Sequence, residues 1–548
     1  MTARSEDVSS RQSVAGPSAQ ERHGSSTTAT RLDASPAALP STARRNVLWI
    51  GGEPPTLIRH HCDAAHLSVV HVEPELEALS ANAPSARALV LEFGAVTEGM
   101  SFAWAAPFIE IARQHGLLIA VTHAERVSPQ AYYEVASRLD DPARVLSPLV
   151  AHYRDWLEIA RACATHDPGP GANSALDIQG ELPDDEDARF RPELRLLLAR
   201  AFHDVQAVHV DVIAPGKSGA NVMVVTAVGP DEMTYPHPFL VKVNGIAKIR
   251  EEHQKFGDHI EHKIPWRQRP NVHHGRCVHG TGWALLVQSF AAGVLPLRDL
   301  SALGSPGIYV SSIFATALRQ MHAVGGEATG SLAQAFRDLK ALRWDSPALA
   351  LAAQVARAGG AHQPEITELR RRVEALPQVP YRAGLVHGDL HAGNVFASVG
   401  SSDVIVIDFG NVMLGPVIAD HACLEVSLAF RPRDLEAEAA GREAPPAPLD
   451  SAWLRSVYGY PLTVRQLDEA PRVVGAAGRD RATLSEAMRA IRGAAQERDN
   501  SRVVYAFAVA SYLLRYAAFA DHAEDNERAL AYELASSLFA GLERELTG

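Results

Sequence analysis

Short apolar runs and longer amphipathic stretches alternate along the chain and divide it into two patterned bodies. In the first, Asn46–Ile50, Leu67–Val72, Ala88–Phe93 and Leu117–Thr122 are strand-length apolar runs. Between and after them, Pro55–Ala65, Pro74–Ala81, Ala105–His115 and Pro129–Arg138 carry helical periodicity, and Arg144–Leu146 is a last short strand. Strands alternating with helices predict a parallel, doubly wound α/β sheet. Leu149–Thr165 reads as a helix with Trp156, Ile159 and Ala160 on one side. The Pro-, Gly- and Asp-rich stretch from Asp167 to Asp187 reads as a linker.

The second body opens at Arg191 with an amphipathic helix, Pro192–Phe202. Strands are expected at Ala207–Ile213, Asn221–Val225 and Phe239–Val243, followed by a helix over Ala247–Phe256. Asn271–His279 and Trp283–Phe290 read as a hairpin. The rest is helical, closing with Ser501–Ala520 and Asn526–Leu546, and Asp434–Pro448 reads as an acidic, Pro-rich insert. The boundaries that follow are a disordered tail at 1–44, an α/β domain at 45–150, a helix and acidic linker at 151–190, a small lobe at 191–291 and a helical large lobe at 292–548.

One block carries chemistry. His387-Gly-Asp-Leu-His-Ala-Gly-Asn394 is followed by the apolar run Val404–Ile407 and then Asp408-Phe-Gly410. This spacing of two carboxylates and a carboxamide is the one kinase-type phosphoryl transfer uses. Asp389 stands where a base would accept the proton of an attacking hydroxyl. Asn394 and Asp408 offer the hard oxygens that Mg²⁺ requires. His391 is expected to support the loop or touch substrate, and Asp420 is expected to be structural.

The upstream pattern agrees. Gly216, Ser218 and Gly219 lie between two expected strands, where small residues let backbone N–H groups approach phosphate. Lys242 interrupts an apolar strand and is expected to reach the α/β-phosphates. Its ion-pair partner is Glu252, with Glu251 as the alternative. The backbone from Gln288 to Phe290 is expected to form the adenine-binding hinge. His273, His274, Cys277 and His279 would not make a metal site, because in a strand residue 274 points away from the others.

The octad around Asp389, with the Ile-Asp-Phe context of Asp408, resembles the catalytic loop of the aminoglycoside phosphotransferase and choline kinase-like branch of the protein-kinase-like fold. Together with Arg200-Ala-Phe202, Ser218-Gly-Ala220, Leu240–Val243 and the block from Val386 to Gly415, it looks like the bacterial ternary-complex-associated kinase-like family over roughly residues 191–548. The resemblance implies an α+β bilobal kinase-like domain that uses ATP and Mg²⁺, with Lys242, Asp389, Asn394 and Asp408 as functional residues. It implies no particular acceptor.

The order and length of the first body resemble a response-regulator receiver, a flavodoxin-like fold. Its chemistry is absent: Glu92 stands at the phospho-acceptor position, Gly51-Gly-Glu53 replaces the acidic pair and Ser147-Pro148 replaces Lys-Pro. A degenerate receiver serving as a docking surface for a signalling protein is expected, with another small flavodoxin-like domain as the alternative.

Net charge of −12, from 52 basic and 64 acidic residues, argues against a broad nucleic-acid footprint. No apolar run reaches membrane-span length, and four scattered cysteines without a secretory h-region point to a reducing cytoplasm. The expected activity is transfer of the γ-phosphoryl group of ATP to a hydroxyl of an unidentified small-molecule or protein acceptor. The rival reading is a nucleotide-binding scaffold or regulator in a bacterial signalling or defence complex.

Overall fold

The computed structural model describes residues 44–93, 102–123, 149–150, 155–213, 220–289, 294–298, 305–359, 363–398, 401–430, 449–469, 476–519 and 524–548. The expectations for residues 1–43 of the tail, the helix at Pro129–Arg138, the strand at Arg144–Leu146, Ser147-Pro148, Gly216, Ser218, Gly219, Phe290 and the insert at Asp434–Pro448 lie outside the described residues, while Arg44, expected in the tail, is buried and hydrogen-bonded.

The first body is a five-stranded sheet of β1 (Asn46–Ile50), β2 (Ser68–His71), β3 (Ala86–Phe93), β4 (Leu118–His123) and β5 (Leu149–Val150). All its pairings are parallel, in the order β2-β1-β3-β4-β5. Val47, Leu48, Trp49 and Ile50 are all fully buried, which requires cover on both faces of the sheet. The helices Thr56–Ala64 and Trp156–Thr165 pack together, as do Leu76–Asn82 and Phe102–Gln114. Leu149 and Val150 extend the sheet along β4, so the helix expected from Leu149 begins only at Trp156.

Glu92 lies near the end of β3, and its Oε2 accepts a hydrogen bond from the Gly52 N–H at 3.0 Å. Burial raises its pKa, which the Gly52 and Trp49 hydrogen bonds oppose. Gly51 has φ +149°, and a Cβ there would meet Glu92 Cβ at 2.6 Å, so only glycine lets the loop close over this carboxylate.

The small lobe is a six-stranded sheet in the order β10-β11-β9-β8-β7-β6. Its strands are β6 (Asp177–Gly180), β7 (Ala207–Ile213), β8 (Asn221–Val228), β9 (Phe239–Gly245), β10 (Val278–His279) and β11 (Trp283–Ser289). The stretch read as a plain linker contributes β6, parallel to β7, because Leu176 and Ile178 pack on the small-lobe core. Leu194, Leu197 and Leu198 of the helix Phe190–Ala201 belong to that same core.

Two arginines join this lobe to the first body through backbone carbonyls. Arg200 donates to Gln114 O (2.8 Å), His279 O (2.7 Å) and Pro168 O (2.9 Å). Arg44 donates to Ala86 O, His115 O and Pro170 O.

The large lobe holds two three-stranded sheets, β12 (Val294–Pro296) with β15 (Val395–Ser398) and β16 (Val404–Val406), and β13 (Glu327–Gly330) with β14 (Val379–Val386) and β17 (Met413–Pro416). Helices surround them. Every residue of Ile418–Phe430 is buried, which marks it as the central helix. Arg502–Ala517 and Asp525–Thr547 pack against each other, and Arg502–Ala517 also packs on Ile418–Phe430. The Ser501 side chain caps Arg502–Ala517 by accepting from the Val504 N–H.

The segment Asn271–His279 differs from the expected hairpin arm. His274–Arg276 is a helical turn that interrupts the arm, between a single bridge of Val272 to Gln288 and the pairing of Val278–His279 with β11. His274 instead stacks on His253, with Nε2 of His253 2.8 Å from Nδ1 of His274. Among the described residues no cluster of three or more His, Cys, Asp or Glu side chains could hold a metal ion, and no helix is long and apolar enough to cross a membrane.

Candidate active site

Lys242 sits mid-strand in β9, flanked by Val222 of β8 and Leu286 of β11. Its ammonium lies 2.8 Å from Glu252 Oε2 and 2.9 Å from Asp408 Oδ1. The choice between Glu252 and Glu251 follows from helix phase. In the helix Ile246–Lys255, Ile246 and Ile249 are buried, and Glu252 continues that i, i+3 stripe. Glu251 points outward and pairs with Lys255 at 2.7 Å. Burial alone would lower the Lys242 pKa, but the Asp408 and Glu252 charges reverse this and the net shift is upward. The ammonium is therefore held charged.

Asp408 follows β16 and Ile407 with φ 61° and ψ 67°, a left-handed conformation uncommon outside glycine. That turn aims the carboxylate at Lys242. Its Oδ1 is engaged by the lysine, while Oδ2 makes no hydrogen bond among the described residues. The following residues are anchored as well. Lys255 donates to Gly410 O at 3.0 Å, and Phe409 packs edge-on against Phe256.

The loop from His387 to Asn394 hangs from Asp420, which starts the central helix. Asp420 accepts the His387 N–H (2.8 Å) and the Gly388 N–H (3.0 Å), and pairs with His322 Nε2 (2.9 Å). Burial of this carboxylate would raise its pKa, but the hydrogen bond and charge of His322, with help from His387, bring it below the ordinary value. His387 Nε2 bonds Ile407 O at 2.8 Å, which ties the loop to the strand leading into Asp408. Gly388 has φ +77°, and a Cβ there would meet Asn411 O at 2.4 Å, so the turn before Asp389 needs glycine.

Asn394 is buried, and its Nδ2 donates to Asp389 O at 2.9 Å. This fixes the amide with its carbonyl oxygen directed elsewhere. His391 accepts the Gly393 N–H at 3.1 Å, and its backbone N–H donates to Asp389 O, so it supports the loop. Asp389 itself is paired: Arg515 Nη2 lies 2.7 Å from its Oδ1.

The donor set suits Mg²⁺. Asp408 retains an anionic oxygen without a hydrogen-bond partner among the described residues, and Asn394 presents a neutral carbonyl oxygen. These two residues would hold the ion.

Of the sequence-derived candidates, Lys242, Glu252 and Asp408 meet directly, and Asp389, His391 and Asn394 share one loop. Gln288 does not serve as expected. Ser289 N–H already bonds Asn271 O and Val287 O accepts from His273 N–H. The intervening Gln288 faces Val272 as a non-hydrogen-bonded pair, which turns its backbone groups toward Leu240 of β9. With the Gln288 backbone turned toward β9, a hinge open to adenine would begin at the Ser289 carbonyl or beyond it. Arg515 was missed. Its signal is a guanidinium that directly follows the apolar run Val503–Leu514 inside the helix Arg502–Ala517, and a buried charge demands a partner.

Residues 213–452 match the model of the APH family, a phosphotransferase enzyme family. No curated protein matches the chain. Among solved structures, an aminoglycoside phosphotransferase from Streptomyces rimosus shares 18% identity at a TM-score of 0.28, covering 55% of this chain and 98% of its own. An ethanolamine kinase from Plasmodium vivax shares 11% at 0.28, covering 60% and 82%. A choline kinase from Streptococcus pneumoniae shares 12% at 0.28, covering 64% and 99%.

Proposed function

We propose that residues 191–548 form an ATP- and Mg²⁺-dependent phosphotransferase that moves the γ-phosphoryl group to a hydroxyl of an acceptor. The observation that carries this reading is the convergence of Glu252 and Asp408 on the Lys242 ammonium, within a span matched to a phosphotransferase family. Lys242 positions the α/β-phosphates, and Glu252 holds that lysine extended from the strand. Asp408 and Asn394 hold Mg²⁺, which neutralises charge on the β- and γ-phosphates when bound. Asp389 orients the acceptor hydroxyl and takes its proton as the new oxygen–phosphorus bond forms and the bridging bond to ADP breaks.

The first body is read in the same proposal as a degenerate receiver that docks a signalling partner. Its β2-β1-β3-β4-β5 order is that of flavodoxin-like sheets, and Glu92 is committed to the Gly52 N–H. The protein is placed in the cytoplasm.

Splitting binding from chemistry tests the enzyme. A ligand at a hundred times its Kd stabilises the fold by about 2.7 kcal/mol, which is visible as a melting shift. Wild type and Asp389→Asn should show a Mg²⁺-dependent ATP shift, and Asp408→Asn should not. Transfer from labelled ATP to water or to an acceptor should appear in wild type alone. A shift without any transfer in wild type would establish the scaffold reading instead. No shift with any nucleotide would reject both.

A further inference from the structure

The side of Asp389 that faces the carboxyl-terminal helices is cationic. Arg515, buried, bonds Asp389 through Nη2 at 2.7 Å. Its guanidinium carbon lies 5.7 Å from the ring centres of both Tyr512 and Phe519. Phe519 carries a second guanidinium, that of Arg343, at 5.2 Å. Two cations therefore share one aromatic ring beside one carboxylate. Arg343 donates to Lys340 O at 3.2 Å and has no carboxylate partner among the described residues. Arg515 Nε and Nη1 are buried and have no hydrogen-bond partner among the described residues. A cavity of about 380 Å³ opens beside Arg343; Arg337 and Arg370 on its wall are each paired with Glu374, which leaves Arg343 as the wall arginine without such a pair among the described residues.

We infer that the acceptor is an anionic hydroxy compound whose carboxylate or phosphate is held by Arg343 and Arg515 while its hydroxyl meets Asp389. This rests on the phosphotransferase reading above. Planar guanidinium forks match oxyanions and stack on aromatic faces, which are the two contacts present here. A cationic acceptor would meet repulsion from both arginines. Burial lowers the Arg343 pKa and the neighbouring Arg515 charge adds to this, while the Asp389 charge opposes it. A bound oxyanion would add a second opposing charge.

It also completes the charge balance of the reaction. When Asp389 takes the hydroxyl proton it becomes neutral, and Arg515 loses its counter-ion. The oxyanion of the acceptor supplies another. The acceptor oxygen bonds to the γ-phosphorus, the bridging bond breaks, and ADP departs with the electron pair.

Two measurements on the full chain test the inference. In the first, inorganic phosphate is titrated against the melting temperature without nucleotide. The expected shift survives Lys242→Ala and is lost in Arg343→Gln, whose side chain is exposed and whose replacement leaves the core untouched. A shift lost in Lys242→Ala but kept in Arg343→Gln would place the anion in the nucleotide site and overturn the inference. So would the absence of any phosphate shift. This arm does not depend on turnover, so it fails separately from the phosphotransferase reading.

In the second, labelled ATP is offered with glycerate, gluconate and sugar monophosphates, and with kanamycin, choline and ethanolamine. Transfer to at least one anionic acceptor should exceed transfer to every cationic one by tenfold or more in kcat/KM. Arg343→Gln should raise the acceptor KM about tenfold with the KM for ATP unchanged. Preference for carboxylates or for phosphates distinguishes the two sources of the oxyanion. Preferential use of a cationic acceptor, or ATP turnover with no anionic acceptor used, would reject the inference.

Discussion

Lys242 and Asp408 stand 2.9 Å apart although 166 positions separate them in the chain. The first belongs to the small-lobe sheet and the second to the large lobe, so this ion pair closes the cleft between the lobes. Glu252 shares the same ammonium, which places one cation between two carboxylates. The ammonium is held by both carboxylates, which repel each other across it.

In the proposed function, replacing the lysine removes the charge that meets phosphate while leaving the sheet packing intact. Lys242→Ala should therefore abolish the Mg²⁺-ATP melting shift, with an unchanged far-UV circular dichroism spectrum. An insoluble variant would instead make Lys242 a structural residue and the small-lobe reading wrong.

Asp420 anchors the catalytic loop through two backbone N–H groups and His322. Hydrogen bonds to a charged group contribute about 1.5–3 kcal/mol each, and loss of a buried ionic partner costs about 3–5 kcal/mol. Asp420→Ala should lose at least about 3 kcal/mol of stability in urea unfolding and lower phosphoryl transfer with it. A loss below about 1 kcal/mol would show that the loop does not hang from this carboxylate.

Burial pushes His115 down to about 3, His279 to about 4 and His421 to about 3, from an ordinary value near 6.5. The folded state thus keeps these rings neutral while the unfolded state protonates them. Stability is full above the unfolded value and falls as pH drops through 6.5 toward 4. Each proton taken up only on unfolding contributes a slope of about 1.4 kcal/mol per pH unit, so the three together approach about 4 kcal/mol per unit near pH 5. Denaturant melts between pH 7 and 5 should show this decline. A flat profile would mean the three rings are accessible in the native state.

The Glu92 carboxylate is occupied by the Gly52 N–H and partly buried. Incubation with acetyl phosphate and Mg²⁺ should leave the intact mass unchanged. A labile phosphate within residues 45–150 would overturn the degenerate-receiver proposal.

The grouping of the candidate residues was legible because it is local: Asp389, His391 and Asn394 lie within six residues, and Asp408 ends a short apolar run. Lys242 was legible as a charge interrupting an apolar strand. The choice between Glu251 and Glu252 was not, since it turns on helix phase against Ile246 and Ile249, which only packing reveals. The pairing of Arg515 with Asp389 spans 126 positions and leaves no local trace. The strand Asp177–Gly180 was hidden because two apolar residues in a polar stretch carry too little period to register. Gln288 was misjudged because an open hinge requires an unpaired strand edge, and pairing is a tertiary property.

The guanidinium grips of Arg44 and Arg200 on Pro168 and Pro170 have a mechanical consequence. A tether fastened on both sides has no slack to absorb motion. Arg200 also bonds His279 on β10, next to β11, which pairs with the strand that bears Lys242. The connector is thus a fastened strut between the first body and that strand rather than a loose hinge.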